Sequence, residues 1–183
     1  MAKATLHPGT ALSPVPVVLV TAGTQEESDI TTLAWAGMLC SDPPMIGIGV
    51  RPTRWLHHFI VDQNAIVVNV PDVLHVRQLD LCGTISGKKK DKWDLTGFTR
   101  ERGSTTETPL IAECPLNLEC VVRQTLHLGS HDLFIGEIVA VHVEERIRRS
   151  GRLDASAFDP VCYIDGQYRH LGGKIGDVGF SHS

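Results

Sequence analysis

Residues 29–54 read DITTLAWAGMLCSDPPMIGIGVRPTR and combine three chemical features in one short stretch. Two adjacent threonines precede a tryptophan, a Cys-Ser-Asp-Pro-Pro turn follows, and a β-rich run then ends in two arginines. Because the prolines prevent a regular hydrogen-bond ladder, the turn can offer backbone N–H groups to a ligand. Hydroxyl and guanidinium groups suit a phosphate. The stretch therefore predicts either a site for a flat heterocycle that carries a phosphate, or a buried hairpin with a core tryptophan and surface arginines.

The segments around this stretch predict a mainly β chain with inserted helices. Apolar β-branched runs and turn residues predict strands at 16–22, 30–36, 45–50 and 65–70, a long hairpin of 116–128 with 133–146, and a last hairpin of 159–163 with 168–171. Helical spacing predicts helices at 53–63 and 73–82, the second capped by Asp72, and a helical turn at 91–96. Residues 97–109 are expected to cross the surface. Many strands without strict helix–strand alternation favour a closed, antiparallel β architecture.

Two local features of these segments bear on ligands. Gly47 and Gly49 leave one face of their strand without side chains, which predicts close approach by a ligand or by a neighbouring part of the chain. Lys88, Lys89 and Lys90 form a charge run that predicts a solvated loop. No GxGxxG fingerprint is present, so no Rossmann domain is expected to carry a nicotinamide cofactor.

Length and composition predict one globular domain. The chain has 183 residues, 42% hydrophobic and 21% charged, with a net charge of −4. We expect an arm over residues 1–15 and a single domain over residues 16–183. The acidic balance argues against nucleic acid as a partner. No apolar run approaches a membrane span and no signal peptide is recognisable, so neither a membrane partner nor export is expected and a cytoplasmic location follows.

Cysteine and histidine spacing indicates neither a disulfide framework nor a metal site. The five cysteines are odd in number and form no Cys-x-x-Cys pair. His57 and His58 are adjacent, so their side chains diverge on a helix. His127 and His131 are four residues apart, which is roughly 13 Å on a strand. We therefore expect no bound metal and buried, reduced thiols, with Cys40 of interest because it adjoins the Ser-Asp-Pro-Pro turn.

The order of the motifs is more specific than any one of them. TTLAW, SDPP, RPTRWLHH and AIVVNVP are followed by DLCGTISGKKKDKW and GSHDLFIGEIV. This order resembles the flavin reductase-like family, which binds FMN in a split β-barrel, and the resemblance covers roughly residues 16–172. It implies an FMN-binding split β-barrel with a Greek-key, antiparallel sheet.

The resemblance also implies which residues surround the cofactor. Thr32 and Trp35 would line the ring and the ribityl chain, and Ser41 with neighbouring amides would face the pyrimidine edge. Arg51, Arg54 and His57 would lie near the phosphate or its approach. The full predicted set is Asp29, Thr31, Thr32, Trp35, Cys40, Ser41, Arg51, Arg54, His57, Lys92 and His131. No side chain is assigned a catalytic role, because the cofactor carries the hydride chemistry.

Asp29 departs from the family pattern, in which asparagine is common at this position. A carboxylate repels a phosphate unless a cation intervenes. We therefore expect Asp29 either to accept from a ribityl hydroxyl or to pair with an arginine.

The predicted function is that of an FMN flavoprotein. It would be an NAD(P)H:flavin oxidoreductase or a flavoredoxin-like electron-transfer protein, with NAD(P)H or a redox protein as donor and a flavin, a protein or a small molecule as acceptor. The alternative is a non-catalytic FMN-binding or flavin-storage protein, and a third reading is a related barrel for another phosphorylated ring such as pyridoxal phosphate. Family relatives place the cofactor near a subunit interface, so a homodimer is expected.

Overall fold

Antiparallel strands dominate the computed structural model, which describes residues 1–154 and 156–182. The strands are β1 Val15–Pro16, β2 Val18–Gly23, β3 Ser28–Leu33, β4 Ala36–Ser41, β5 Pro44–Val50, β6 Ala65–Val70, β7 Arg100–Glu101, β8 Leu110–Ile111, β9 Leu116–His127, β10 Asp132–Val143, β11 Arg148–Arg149, β12 Arg152–Leu153, β13 Val161–Ile164 and β14 Gln167–His170. The helices are α1 Leu56–Gln63, α2 Val76–Thr84 and α3 Lys92–Thr96, with 3₁₀ turns at Val73–His75, Glu145–Ile147 and Phe180–His182. The predicted mainly β class with inserted helices is confirmed.

Seven strands form the main sheet, in the order β3-β2-β6-β9-β10-β5-β4. Every neighbouring pair is antiparallel. Three smaller ladders join β1-β13-β14, β7-β8 and β11-β12. The twelve-residue strands β9 and β10 form the long hairpin that the sequence predicts. This hairpin lies between β6 and β5 in the sheet. Because the first residue of β10 pairs with the last residue of β5, the hairpin turn lies beside the end of β5.

The sheet buries side chains on both faces, which explains the continuous apolar run in β2. Val18 and Val20 belong to one core with Leu56, Phe59 and Ile60 of α1. Leu19 belongs to a second core with Leu79 and Cys82 of α2 and with Trp93 of α3. A strand buried on both faces carries apolar side chains at most positions. The buried polar exception in β2, Thr21, donates its hydroxyl to the Pro109 carbonyl. The fold therefore places α1 on one face of the sheet and α2 with α3 on the other.

Several predicted segments differ from the structure, among them the helix expected at 53–63, which begins at Leu56, and the strand expected at 133–146, which ends at Val143. The strand expected at 30–36 ends at Leu33, and a bend at residues 34–35 separates it from β4. Asp72 caps a 3₁₀ turn by accepting from the Leu74 N–H, and the α-helix begins only at Val76, which is 39% exposed. The segment 97–109 is more than a surface crossing. It contains β7 and covers part of the sheet near Glu119.

The predicted Asp-Gly turn and the helical turn after Asp91 agree with the structure, whereas the strand β4 was not predicted. Asp165 and Gly166 both have positive φ, 44° and 81°, as an Asp-Gly hairpin turn requires. Asp91 caps α3 by accepting from the Trp93 N–H. Residues 1–14 are exposed and contain neither strand nor helix, although the division into an arm and one domain stays a prediction. Across 1–154 and 156–182, no helix combines the length and the apolar character that crossing a membrane requires.

Candidate functional site

Strand pairing brings Trp35, Arg51 and His131 together. Val50 at the end of β5 pairs with Asp132 at the start of β10. Arg51, which follows Val50, and His131, which precedes Asp132, therefore lie at neighbouring strand ends. The Trp35 and His131 rings lie 4.3 Å apart between centroids, with an angle of 47° between their planes. Burial lowers the pKa of His131, and the positive charge of Arg51 lowers it further. Both effects favour the neutral form of the imidazole.

Trp35 does not lie in a strand, as the sequence analysis assumed, but in the bend between β3 and β4. Its side chain is 45% exposed, which excludes the alternative of a core tryptophan. Side chains of the same chain occupy the glycine face of β5. A Cβ on Gly47 would stand 2.8 Å from Leu39, and one on Gly49 would stand 3.5 Å from Trp35.

Two adjoining cavities contain most of the predicted site residues. The aromatic cavity, of ≈ 190 Å³, is lined by Thr32, Leu33, Ala34, Trp35, Gly49, Arg51, Arg54, His131 and Tyr163. The basic cavity, of ≈ 380 Å³, is lined by Arg51, Thr53, Arg54, Trp55, Ile85, Ser86, Gly87 and Lys92. Because Arg51 and Arg54 line both, an elongated ligand can place a ring in one and an anionic group in the other.

A third cavity shares Trp35, Gly49 and His131 with the aromatic cavity. This apolar cavity, of ≈ 390 Å³, is lined by Trp35, Ala36, Gly37, Leu39, Gly47, Gly49, Leu128, Ser130, His131 and Leu133. A larger cavity of ≈ 510 Å³ lies elsewhere, between the first turn of α2 and the β13–β14 hairpin. None of the predicted site residues lines that larger cavity.

Arg54 is held at the junction of the aromatic and basic cavities. Its backbone N–H donates to the Arg51 carbonyl at 2.9 Å, which closes a turn after β5. Its Nη1 donates to the Gly83 carbonyl at 3.0 Å. A guanidinium has five N–H donors, so this bond leaves donors for a phosphate. The turn and the Gly83 bond together fix the position of the charge before a ligand binds.

Lys92 and Asp29 form a buried ion pair beneath the basic cavity. Each residue is 3% exposed. The Lys92 Nζ donates to the Ile30 carbonyl at 2.6 Å and lies 3.3 Å from Asp29 Oδ2 and from the Thr31 hydroxyl. Burial raises the pKa of Asp29 and lowers that of Lys92, and their mutual attraction opposes both shifts.

This pairing corrects the expected partner of Asp29, because the cation that neutralises it is a lysine rather than an arginine. It also bears on Lys92, which the resemblance placed among the residues around the cofactor. All three ammonium donors have acceptors within the protein, so the ammonium is directed to Asp29 although Lys92 lines the basic cavity.

The two threonines of the first motif have different surroundings. The Thr32 hydroxyl donates to the Leu79 carbonyl of α2, and the residue lines the aromatic cavity. Thr31 is fully buried, and its hydroxyl donates to Asp29 Oδ2 at 3.4 Å. Thr32 can therefore contact a ligand, whereas Thr31 supports the Asp29–Lys92 pair.

Cys40, Ser41 and His57 are not brought into the two cavities. Cys40 and Ser41 are exposed at the far end of β4. At about 3.3 Å per strand residue, Cys40 lies roughly 16 Å along the chain from Trp35. His57 on α1 instead bonds Asp132, with 2.8 Å between Nε2 and Oδ2.

Asp132 joins two histidines beneath the hairpin turn, an arrangement that the sequence analysis missed. His127 Nδ1 lies 2.8 Å from Asp132 Oδ1, opposite the bond from His57. Hydrogen bonds from His127 and then from His57 lower the pKa of Asp132. The bond from His57 ties the end of the long hairpin to α1, and the bond from His127 links β9 to β10 beside the turn that carries His131.

The predicted set of site residues does not contain three residues that line the cavities, Tyr163, Ser86 and Gly87. Ser86 and Gly87 precede the lysine run within the motif DLCGTISGKKKDKW, so a sequence signal was available for them. Tyr163 comes from β13 in the last hairpin. Nothing near it in sequence indicates that this hairpin reaches the aromatic cavity.

The geometry of the two cavities suits a flat ring with a phosphorylated tail. The aromatic cavity offers stacking surfaces, and the basic cavity offers two guanidinium groups with the Ser86 hydroxyl. Two cations match the charge of a phosphate monoester dianion. The residues present therefore fit FMN by the chemistry of their donors.

Comparison with known proteins gives matches over nearly the whole chain. Residues 10–172 match the family model described as flavin reductase like domain. The crystal structure of flavoredoxin from Methanosarcina acetivorans is 31% identical, with a TM-score of 0.93 over 99% of this chain and 97% of that one. Flavoredoxin of Desulfovibrio vulgaris (Miyazaki F) is 28% identical, with a TM-score of 0.91 over 100% of both chains.

A curated relative with a more specific description is the FMN reductase (NADH) RutF of Pseudomonas syringae pv. syringae. It is 24% identical over 74% of this chain and 70% of its own length. Together with the sheet order described above, the structural matches confirm the split-barrel class that the motif order implied.

Proposed function

The chain belongs to the flavin reductase like domain family, and on that premise we propose that it binds FMN and transfers electrons through it. Its relatives support a flavin-related redox function of the flavin reductase type. The finer proposal is an NAD(P)H:flavin oxidoreductase or a flavoredoxin-like electron-transfer protein. The observation that carries it is the pair of adjoining cavities that share Arg51 and Arg54.

Each part of the proposed site has a role toward the cofactor. Trp35 and His131 would pack against the ring, and Thr32 would contact the ribityl chain. Arg51 and Arg54 would bind the phosphate. Bound flavin supplies reversible hydride and electron transfer. The protein orients the ring, restricts water and leaves a neutral imidazole, that of His131, beside it.

We propose FMN rather than FAD because the phosphate donors are compact and no adenosine site is recognisable. The purified protein should show a flavin spectrum or acquire one on titration, and chromatography of released cofactor should show FMN. Mainly FAD would contradict the choice of flavin. Steady-state oxidation of NADH and NADPH with added FMN then separates a reductase from a flavin-storage protein, since only the reductase turns over.

Arg54→Ala should weaken FMN binding by about 2 kcal/mol, or roughly thirtyfold, because a charge-assisted hydrogen bond to the phosphate is lost. Titration of flavin fluorescence measures the change. Arg149→Ala, at an exposed arginine of β11, is the matched control and should bind FMN as the wild type does.

Riboflavin distinguishes phosphate binding from a structural role of Arg54. Because it lacks the phosphate, riboflavin should bind Arg54→Ala and the wild type almost equally. Equal losses for FMN and riboflavin would show instead that the bond from Arg54 to Gly83 supports the cavity as a whole.

We also propose a homodimer that forms through the edge strand β4. This strand ends the seven-stranded sheet and exposes Met38 and Leu39 by 61% and 53%. The apolar cavity opens beside them. A second copy would cover these side chains and complete the surroundings of Trp35, and a stable assembly would bury above roughly 1,000 Å².

Sedimentation should therefore give twice the chain mass of 20.0 kDa. Leu39→Arg should produce a monomer, because it places a charge in the buried contact. Leu74→Arg, at an 80% exposed leucine away from β4, should leave the dimer intact. A wild-type protein that sediments as a monomer at micromolar concentration would refute the dimer.

A further inference from the structure

Three consecutive lysines stand at the rim of the basic cavity. Ser86 and Gly87 line that cavity, and Lys88, Lys89 and Lys90 follow directly and are exposed. The N–H groups of Lys89 and Lys90 donate to the Ser86 carbonyl at 3.0 and 3.3 Å. This turn places the three exposed lysines on one loop, directly after two residues that line the basic cavity together with Arg51 and Arg54.

The positive charge of this loop is not balanced within the protein. In the described part of the chain, no carboxylate forms an ion pair with Lys88, Lys89 or Lys90. The adjacent Asp91 accepts from the Trp93 N–H and lies 3.7 Å from Arg100. The rim is therefore strongly cationic, although the chain as a whole carries a net charge of −4.

A bound cofactor phosphate would not use this charge either. Under the proposed function Arg51 and Arg54 would balance the dianion, and Lys92 is neutralised by Asp29. The three lysines line none of the described cavities. Their charge therefore remains available at the mouth of the site in the loaded protein.

We propose that Lys88, Lys89 and Lys90 form a docking rim for the acidic surface of an electron-carrier protein, which exchanges electrons with the flavin. This inference rests on the proposed flavin function. Lysine ammonium groups are hydrated point charges on flexible stems, which suit diffuse attraction to a protein surface. The geometry is less suited to the 2′-phosphate of NADPH, because Lys88, Lys89 and Lys90 line none of the described cavities that could enclose such a group. Attraction of this kind raises association rates by a factor of about 10 to 10³ at low ionic strength.

The test removes the rim charge and measures both binding and electron transfer with an acidic rubredoxin as the probe. The variant is Lys88→Gln/Lys89→Gln/Lys90→Gln. The matched control, Lys3→Gln/Arg149→Gln/Arg152→Gln, removes the same charge from exposed residues that line none of the described cavities. Rubredoxin binding is measured by interferometry at about 10 mM and about 1 M salt. Stopped-flow mixing of chemically reduced, flavin-loaded protein with two equivalents of this one-electron acceptor gives the transfer rate.

The rim variant should bind FMN as the wild type does, but bind rubredoxin about tenfold more weakly and reduce it about tenfold more slowly at low salt. Both differences should vanish at high salt, and the control should keep the wild-type values. Unchanged rubredoxin binding by the rim variant, or an equal loss in the control, would overturn the proposal. A loss confined to the KM for NADPH, with that for NADH unchanged, would also overturn it, because the loop would then recognise a dinucleotide phosphate.

The binding measurement needs no flavin, so it separates this proposal from the proposed function. If the wild type takes up no flavin but binds rubredoxin through the lysines, the flavin function and the electron exchange fail, and only the docking part of this proposal stands. If the wild type binds FMN but the rim variant binds rubredoxin as tightly as the wild type does, the flavin function stands and the docking rim fails.

Discussion

Lys92→Met is expected to destabilise the protein by about 3–5 kcal/mol, the scale for removing one partner of a buried ion pair. The substitution keeps most of the side-chain length but leaves the Asp29 carboxylate, 3% exposed, without its cation. The Ile30 carbonyl and the Thr31 hydroxyl also lose a donor. Urea unfolding of the flavin-free protein near neutral pH measures the loss independently of cofactor binding.

A double variant distinguishes the loss of the pair from the loss of packing. Asp29→Asn/Lys92→Met removes both charges and should recover more than half of the lost stability, because no uncompensated charge remains. Lys90→Met, at an exposed lysine two residues earlier, should lie within about 0.5 kcal/mol of the wild type. Additive effects of the two single changes would show that Asp29 and Lys92 are not energetically coupled.

Glu119→Gln is expected to cost about 3 kcal/mol near neutral pH. Glu119 is fully buried in β9, yet its carboxylate accepts from the N–H groups of Ser104, Thr105 and Thr106 and from His142 Nε2 at 2.6 Å. Burial raises the pKa of Glu119, but the hydrogen bonds from His142 and these amides outweigh it and lower the pKa to about 2. A shift of that size from the ordinary value of 4.5 corresponds to about 3 kcal/mol.

The effect of Glu119→Gln depends on pH in a defined direction. A carboxyl group whose pKa is lower in the folded state stabilises the fold fully above its ordinary pKa. That stabilisation is lost as the pH falls from about 4.5 toward 2. The difference between wild type and variant should therefore shrink between neutral pH and about pH 3. Guanidinium unfolding at both pH values measures it.

Glu107→Gln is the matched control, because Glu107 is exposed in the same loop. Its stability should stay within about 0.5 kcal/mol of the wild type at both pH values. A loss in Glu119→Gln below about 1 kcal/mol, or one equally large at neutral and acidic pH, would contradict the role given to the ionised carboxylate.

The Glu119 contacts explain why residues 97–109 were mistaken for a surface crossing. Their polar composition is typical of a loop, but three consecutive amides of this loop point at one carboxylate in the sheet. Gly103 reflects the same contact, since a Cβ there would stand 2.5 Å from Glu119 Oε2. The sequence shows a glutamate within a β-rich run. It does not show that the amides thirteen to fifteen residues earlier bind this glutamate.

The sequence alone determined the longer strands, the long and the last hairpin and the three helices to within a few residues, because alternation, helical spacing and turn chemistry are local. It missed β4 and the two-residue strands. The Asp-Gly turn and the Asp91 cap needed no knowledge of distant contacts. The motif order added the family and, with it, Trp35, Arg51, Arg54 and His131, which the structure brings together.

Tertiary structure alone decided how charges were paired and which residues share a cavity. Lys92 meets Asp29 across 63 residues, and Tyr163 reaches the aromatic cavity from the last hairpin. Cys40 and Ser41, close to Trp35 in sequence, are carried away from it because β4 is extended. These outcomes depend on the pairing of distant strands and on desolvation at their contacts, and neither leaves a periodic signal in the chain.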